Sequence, residues 1–446
     1  MDTPIVDFVK AYAQSGKARF HMPGHKGVSF FGCEQLDITE IRGADELYVP
    51  EGIILESEKN AASLFGTSRT VYSAGGSTQS IQAMLFAAYG RADKCGKKPF
   101  VIAGRNAHKA FIYAAAKLDF DIVWLYPEQS SGICSCIVTA ESLEAQLSAC
   151  DEKPFAVYIT SPDYLGGVTD IAALSVVCKA HGVPLLVDNA HGAYLAFCKE
   201  NMHPINLGAD MCCDSAHKTL PVLTGGGYLH ISKDADKCFA DGAVGAMAVF
   251  GSTSPSYLIM QSLDMCNRYM SERICTDINA CALRVESVKK AMHQSGINDI
   301  SCEPLKITAD FRSFAVDGFE NCGDYFRSFG IEPEYCDGDF TVFMVSPFNS
   351  EDDFLRLEAA FDNIHLTTRV REEIAFEKSV QVMSVREAVF AQSEEISVSC
   401  ASGRVCAAPS VSCPPAIPIA VSGEVITEKH IRAFEHYGIK KIAVIK

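Results

Sequence analysis

The stretch Met211–Gly227, MCCDSAHKTLPVLTGGG, decides how this chain is read. Its first residues form a short apolar run ending in Asp214, as in a buried strand. The chain then turns through Ser215-Ala216-His217-Lys218, and Gly225-Gly226-Gly227 opens a second strand over Gly227–Ile231. A lysine in such a turn lies at the mouth of a sheet, where open α/β folds bind ligands beyond the strand C-termini. Flanked by small and polar residues, Lys218 is expected to be cramped and partly desolvated, which lowers an amine's pKa and permits imine formation. Taken alone, a lysine after a histidine is more often a surface lysine.

On either side of this stretch, short β-rich runs alternate with helical patterns from about Ser68 to Ser232. Strands are predicted at Arg69–Ser73, Phe100–Ala103, Ile122–Leu125, Phe155–Thr160, Pro184–Asp188, Met211–Ser215 and Gly227–Ile231. Helices are predicted at Ser77–Ala88, at Ala140–Cys150 capped by Thr139, and at Ile171–His181 capped by Asp170 and stopped by Gly182. Strands such as PLLVD are apolar throughout, as when both faces of a sheet are covered. The alternation predicts an α/β fold with a mostly parallel sheet and helices on both faces.

From Ser256 to His293 the pattern is helical and reads as a connector. After Gly296 it turns α+β, with strands expected at Lys306–Val316, Phe340–Val345 and Lys441–Ile445 and helices at Glu351–Ile364 and Glu428–Tyr437. Cys413–Pro418, CPPAIP, reads as extended. The expected organisation is an N-terminal arm over 1–50, a major domain with the connector over 51–295, and a smaller α+β domain over 296–446.

Three further pieces carry chemistry. Pro184–Val187 runs into Asp188, and a carboxylate at the tip of a buried strand is costly unless paired. A protonated pyridine nitrogen would supply the partner, although a turn or capping aspartate reads equally well. Gly75-Gly76-Ser77-Thr78 opens a helix, where free N–H groups and two hydroxyls make an anion site. No GKS or GKT follows, which excludes a P-loop. His108, in Asn106-Ala107-His108-Lys109 after a strand, could stack on a flat ring, though alone it is more often a plain loop histidine.

Bulk properties narrow the class. A net charge of -16 disfavours nucleic acid or an anionic membrane as partner and mildly favours cationic substrates. No apolar run is long enough to span a bilayer, and Met1–Lys10 lacks the features of a signal peptide. The 19 cysteines are an odd number in a long chain, so they are expected to be reduced, in a cytoplasmic setting. Cys134-x-Cys136 and Cys212-Cys213 hint at metal, but no second pair stands at zinc-finger spacing, and no metal is expected. Pro23 and Gly24 argue against His21 and His25 as a helical metal pair.

In this order the pieces resemble the ornithine/lysine/arginine decarboxylase family of fold-type I pyridoxal-phosphate (PLP) enzymes, in its short form without an N-terminal wing. Arg19–Gly27 (RFHMPGHKG) and Asp37–Gly52 (DITEIRGADELYVPEG) resemble its N-terminal motifs. Ser215–Thr224 (SAHKTLPVLT) resembles its cofactor-lysine motif, Ser252–Asp264 (STSPSYLIMQSLD) a segment that reaches a neighbouring subunit, and Gly403–Glu424 (GRVCAAPSVSCPPAIPIAVSGE) its tail.

The resemblance implies α-decarboxylation of lysine, arginine or ornithine to a polyamine precursor and carbon dioxide. It implies that Lys218 holds PLP as a Schiff base, that Asp188 pairs with the ring nitrogen and that His108 stacks on the ring. Ser77, Thr78 and Ser215 would bind the phosphate, and His217 and His191 would line the reacting carbon. Thr253 would serve the partner subunit's phosphate, making a homodimer the smallest active unit. Asp45 and Glu46 are candidates for reading the substrate's cationic end, against the plainer reading of two solvated acids.

Some positions depart from the family pattern. Asn189 replaces a glutamate and Gln79 an asparagine. In the tail a glutamate near Ala408 is missing, Ser412-Cys413 replaces Pro-Tyr, and Ala416 replaces a glycine. Two rivals stand beside this reading: another PLP reaction (transamination or aldol cleavage), and a catalytically silent regulatory paralogue, which the altered tail motivates. An aminotransferase would need an arginine clamp, for which Arg312, Arg369 and Arg371 are available.

Overall fold

A computed structural model describes residues 1–446 apart from 93–97, 128–131, 371–373 and 410–414. Seven strands, β1 (Arg69–Ser73), β2 (Phe100–Gly104), β3 (Asp121–Leu125), β4 (Ala156–Thr160), β5 (Leu185–Asp188), β6 (Met211–Asp214) and β7 (Gly227–Ile231), form one sheet. Their order is β1-β7-β6-β5-β4-β2-β3. β5 is parallel to β6 and β2 to β3, whereas β7 is antiparallel to both β1 and β6. Every residue of β5, β6 and β7 is buried. That is why these strands read as continuous apolar runs rather than alternating ones. The mostly parallel sheet agrees with the expected fold class.

The chain divides into two compact units. The first comprises Met1–Asp93, Phe155–Tyr158 and Ile171–Thr276; the second comprises Lys94–Pro154, Ile159–Asp170 and Asp277–Lys446.

In the first unit, Pro4–Gln14 folds as a helix in the stretch expected to be an arm. It is pinned by Asp264, whose Oδ2 accepts the N–H groups of Ile5 and Val6, both at 3.0 Å. These are amides of the first turn, which have no partner within the helix. The helix Lys237–Phe250 packs on the helix Gly76–Tyr89. Gly242 and Gly245 sit in its interior and lower its intrinsic preference by about 1 kcal/mol each, so packing rather than propensity makes it helical.

Two glycines bring the loops at the head of the sheet together. Gly76 adopts φ +64, and its N–H donates to the carbonyl of Gly225 at 2.7 Å. A Cβ on Gly227 would stand 2.6 Å from the carbonyl oxygen of Asp214 and 3.3 Å from the carbonyl carbon of Gly76. The phosphate-type loop and the lysine turn can therefore lie side by side only without side chains there.

In the second unit the expected strand Lys306–Val316 is two strands, Lys306–Asp310 and Phe314–Val316. The break is an aspartate turn, with Asp310 Oδ1 accepting the N–H of Arg312 at 3.0 Å. The expected connector, which begins in the first unit, is also two helices, Tyr257–Glu272 and Ile274–Gln294, parted at Arg273, whose φ of -138 is not helical. Arg105, fully buried, donates to the carbonyls of Pro418 and Ile419 at 2.8 and 3.0 Å and lies 3.6 Å from the Glu424 carboxylate, which anchors the tail.

Ala416 adopts φ +59, a left-handed conformation that a glycine would take without strain. Its carbonyl accepts the N–H of Lys109 at 3.0 Å, so the conformation is held in place. Ala416→Gly is expected to raise unfolding stability by up to about 1 kcal/mol, the relief of a Cβ in that region less the added freedom of the unfolded chain. Denaturant titration of the two proteins measures the difference, and a loss of stability would contradict the strain.

Candidate active site

The catalytic-type side chains of the first unit gather where β5 and β6 end. Asp188 closes β5 and is 2 % exposed. Three donors reach its carboxylate. The Tyr158 hydroxyl donates to Oδ2 at 3.0 Å, the Ala190 N–H to Oδ1 at 3.2 Å, and the Cys213 thiol to Oδ1 at 3.6 Å. Burial pushes the Asp188 carboxyl above its ordinary range, while the Lys218 charge and these donors pull it back. Lys218 and Asp188 therefore feel one another electrostatically.

Lys218 lies on the one-turn helix Ala216–Thr219, with Nζ 3.0 Å from Nε2 of His191. His191 itself is 6 % exposed. The expected desolvation of Lys218 is not found in the single chain, where the lysine is exposed. His217 is half-buried, and its Nδ1 lies 2.8 Å from the carbonyl of Gly226, which accepts its proton. Burial holds the His217 pKa below its ordinary value, the bond to Gly226 opposes this, and the Lys218 charge reinforces it.

Two of the three residues expected to bind phosphate are in contact. Ser215 Oγ donates to Ser77 Oγ at 2.7 Å, so two hydroxyls from distant parts of the chain meet in the first turn of the helix Gly76–Tyr89. Thr78, in the same turn, is exposed. The departure at Gln79 is structural. Its Nε2 donates to Tyr48 Oη and to the Met247 carbonyl at 2.8 and 2.9 Å, and its Oε1 accepts from Ser73 at 3.0 Å. Asn189, in place of the family's glutamate, donates from Nδ2 to Asp214 Oδ1 at 2.7 Å.

His108, in the second unit, caps the helix Lys109–Leu118, its Nδ1 accepting the Ala110 N–H at 3.1 Å. Thr253 is exposed in the segment before the helix Tyr257–Glu272. Asp45 accepts the N–H groups of Glu46, Glu51, Gly52 and Ile54 at 3.0, 2.9, 2.8 and 2.9 Å, and so closes its own loop. Burial works against its charge, but these donors outweigh it and hold the carboxyl below its usual range. Glu46 is exposed.

Sequence reasoning missed Tyr158 and Cys213, the side-chain donors to Asp188. Both lie mid-strand, where tyrosine and cysteine are ordinary core residues, so only the strand order reveals them. The arginines of the rival reading are committed locally: Arg312 to Asp310 at 2.8 Å, and Arg369 to the carbonyls of Phe311 and Gly338 and to Asp339. Arg371, Ser412 and Cys413 lie outside the described residues.

The fold is shared with known PLP enzymes of this kind. A constitutive lysine decarboxylase of E. coli superposes with a TM-score of 0.77 at 16 % identity, covering 100 % of this chain and 82 % of that one. The lysine decarboxylase of Francisella novicida gives 0.80 at 14 %, covering 100 % and 81 %. The architecture is thus that of the fold-type I decarboxylases.

The Orn/Lys/Arg decarboxylase major-domain model matches residues 3–322, and the chain belongs to that family. An arginine decarboxylase of Bacillus subtilis is 29 % identical over 96 % of this chain and 92 % of its own length. One from Halalkalibacterium halodurans is 27 % identical over 96 % and 92 %. Among the described residues, no helix is long and apolar enough to cross a membrane.

Proposed function

We propose that the protein removes the α-carboxyl group of a basic L-amino acid (lysine, arginine or ornithine) as carbon dioxide, leaving the corresponding polyamine precursor. One observation carries the reading. In a chain that belongs to a decarboxylase family, a buried carboxylate at the tip of β5 and a lysine whose charge acts on it share one compact unit. The residues present fit PLP. Lys218 would carry it, Asp188 would face the ring nitrogen, and Ser77, Thr78 and Ser215 would hold the phosphate. His108 would lie on the ring face, and Thr253 would serve the partner's phosphate in a homodimer.

Bound there, PLP supplies a sink for the electron pair left on the α-carbon as the carboxyl departs. The chain's own residues do the rest. Asp188, held by Tyr158, Ala190 and Cys213, keeps a proton at the ring nitrogen. His191, at 3.0 Å from Lys218 Nζ, is placed to pass a proton to and from that amine. His217, biased toward its neutral form, lines the site. Lys218 or one of these histidines returns a proton to the α-carbon. Of the two acidic candidates for the substrate's distal cation, Glu46 is favoured, because the oxygens of Asp45 already accept from backbone amides.

Purified protein with added PLP, incubated separately with lysine, arginine and ornithine, is expected to release carbon dioxide from at least one of them. Keto-acid formation without gas would replace this reading by transamination. Absence of the visible absorption of bound cofactor after PLP addition would favour a silent paralogue.

A further inference from the structure

One cluster of ligand-type side chains lies outside the residues assigned above. His203 stands in the loop between β5 and β6, Asp214 ends β6, and His230 is in β7. Nε2 of His203 and Nε2 of His230 lie 3.1 and 3.2 Å from the same oxygen, Oδ2 of Asp214. The three side chains are all 0 % exposed, and their ligand atoms fall within 4.8 Å of one another. Metal bonds of about 2.0–2.2 Å in a tetrahedral arrangement put neighbouring ligand atoms about 3.3 Å apart, close to the spacing found.

The surroundings resemble the outer shell of a metal site. Nδ1 of His230 pairs with Thr70 Oγ1 at 2.8 Å, and Asp214 Oδ1 accepts from Asn189 at 2.7 Å. Bound imidazoles and carboxylates are oriented by such second partners. His203 Nδ1 has no hydrogen-bond partner and is the less tethered of the two imidazoles. The two imidazole planes stand at 87°, and the Phe65 ring lies 5.4 and 4.4 Å from their centroids. In that apolar setting a bare carboxylate charge is costly. The Sγ of Cys212, also fully buried, lies 3.9 Å from His203 Nε2 but outside the group whose ligand atoms are all within 4.8 Å of one another, so it would have to move toward the ion to ligate it. A carboxylate and a thiolate together would balance the charge of a divalent ion.

We propose that His203, Asp214 and His230 hold a divalent transition-metal ion of the zinc class, with Cys212 as the fourth ligand. Two imidazoles, one carboxylate and one thiolate suit zinc, and the burial of all four makes the site closed and structural rather than catalytic. The ion would tie β6, β7 and the preceding loop together next to the turn that carries Lys218. The ligands are scattered over positions 203, 212, 214 and 230, on strands that only the fold makes adjacent, so no short spacing motif announces them.

The test uses untagged full-length protein, expressed with zinc in the medium and purified without chelator. Metal analysis is expected to find about one zinc per chain, with most of it lost in His230→Gln and Asp214→Asn. Wild-type protein with less than about a tenth of an equivalent of zinc, and with a melting temperature indifferent to added zinc, overturns the proposal. Asp214 is then a carboxylate hydrogen-bonded by two imidazoles. Zinc retained equally by both variants also overturns it. If the variants do not fold, wild-type protein grown on cobalt decides: a thiolate-to-cobalt charge-transfer band supports the site, and its absence refutes it. These measurements need neither substrate nor PLP, so they stand or fall apart from the decarboxylase reading.

Discussion

Lys218→Ala is expected to reduce decarboxylation at least about a thousandfold. The lysine is the residue on which the proposed chemistry turns: it would carry PLP and would be displaced and restored in each cycle. His191, 3.0 Å away, has no equivalent amine to serve once Lys218 is gone. The loss can be separated from unfolding by a second readout. After borohydride reduction of the PLP-loaded wild type, peptide mass analysis should find the cofactor on the peptide containing Lys218. Finding it on another lysine, or finding full activity in the variant, would remove Lys218 from its role.

Asp188→Asn is expected to lower kcat by about a hundredfold or more while moving KM little. The side chain keeps its shape: the amide oxygen can still accept from Ala190, and the Tyr158 hydroxyl can turn to accept from the new NH2 group, so the fold should hold. What disappears is the negative charge that keeps a proton on the ring nitrogen. Burial raises the Asp188 pKa, with Lys218 and the donors acting in the opposite direction. Its neighbours thus work against burial in favouring the charged carboxylate. Tyr158→Phe, which removes one of them at 3.0 Å, should show a smaller loss of the same kind. Unchanged kcat in Asp188→Asn would show that the ring nitrogen is served elsewhere or not at all.

Much of the central sheet was legible in the sequence. Arg69–Ser73 and Gly227–Ile231 end where expected, because β-branched and aromatic runs are punctuated there by Ser, Gly and Asp. Ile171–His181 was equally plain, closed by Gly182 at φ +61. Lys237–Phe250 was not, because two interior glycines hide a helix that exists through its packing. Lys306–Val316 looked like one strand because an aspartate turn costs no apolar residue.

The placement of Lys218, Asp188, Ser77 and Ser215 at strand ends or helix starts was legible, because Gly, Ser and Asp punctuate the sequence there. Asp45 looked like one of two solvated acids or a substrate reader, and the structure shows a carboxylate engaged by five backbone amides. Tyr158 gave no signal, because one aromatic residue in a buried strand looks like any other.

The placement of β7 bears on how the chain reaches this state. It is wedged between β1 and β6, and its partner in β1 was made about 160 residues earlier. Until Gly227–Ile231 leaves the ribosome, both neighbours carry rows of unpaired amides along the gap meant for it. Nascent chains stopped before that point are expected to cling to chaperones or to one another, and assembly of the head of the sheet is expected to be a late event in biogenesis.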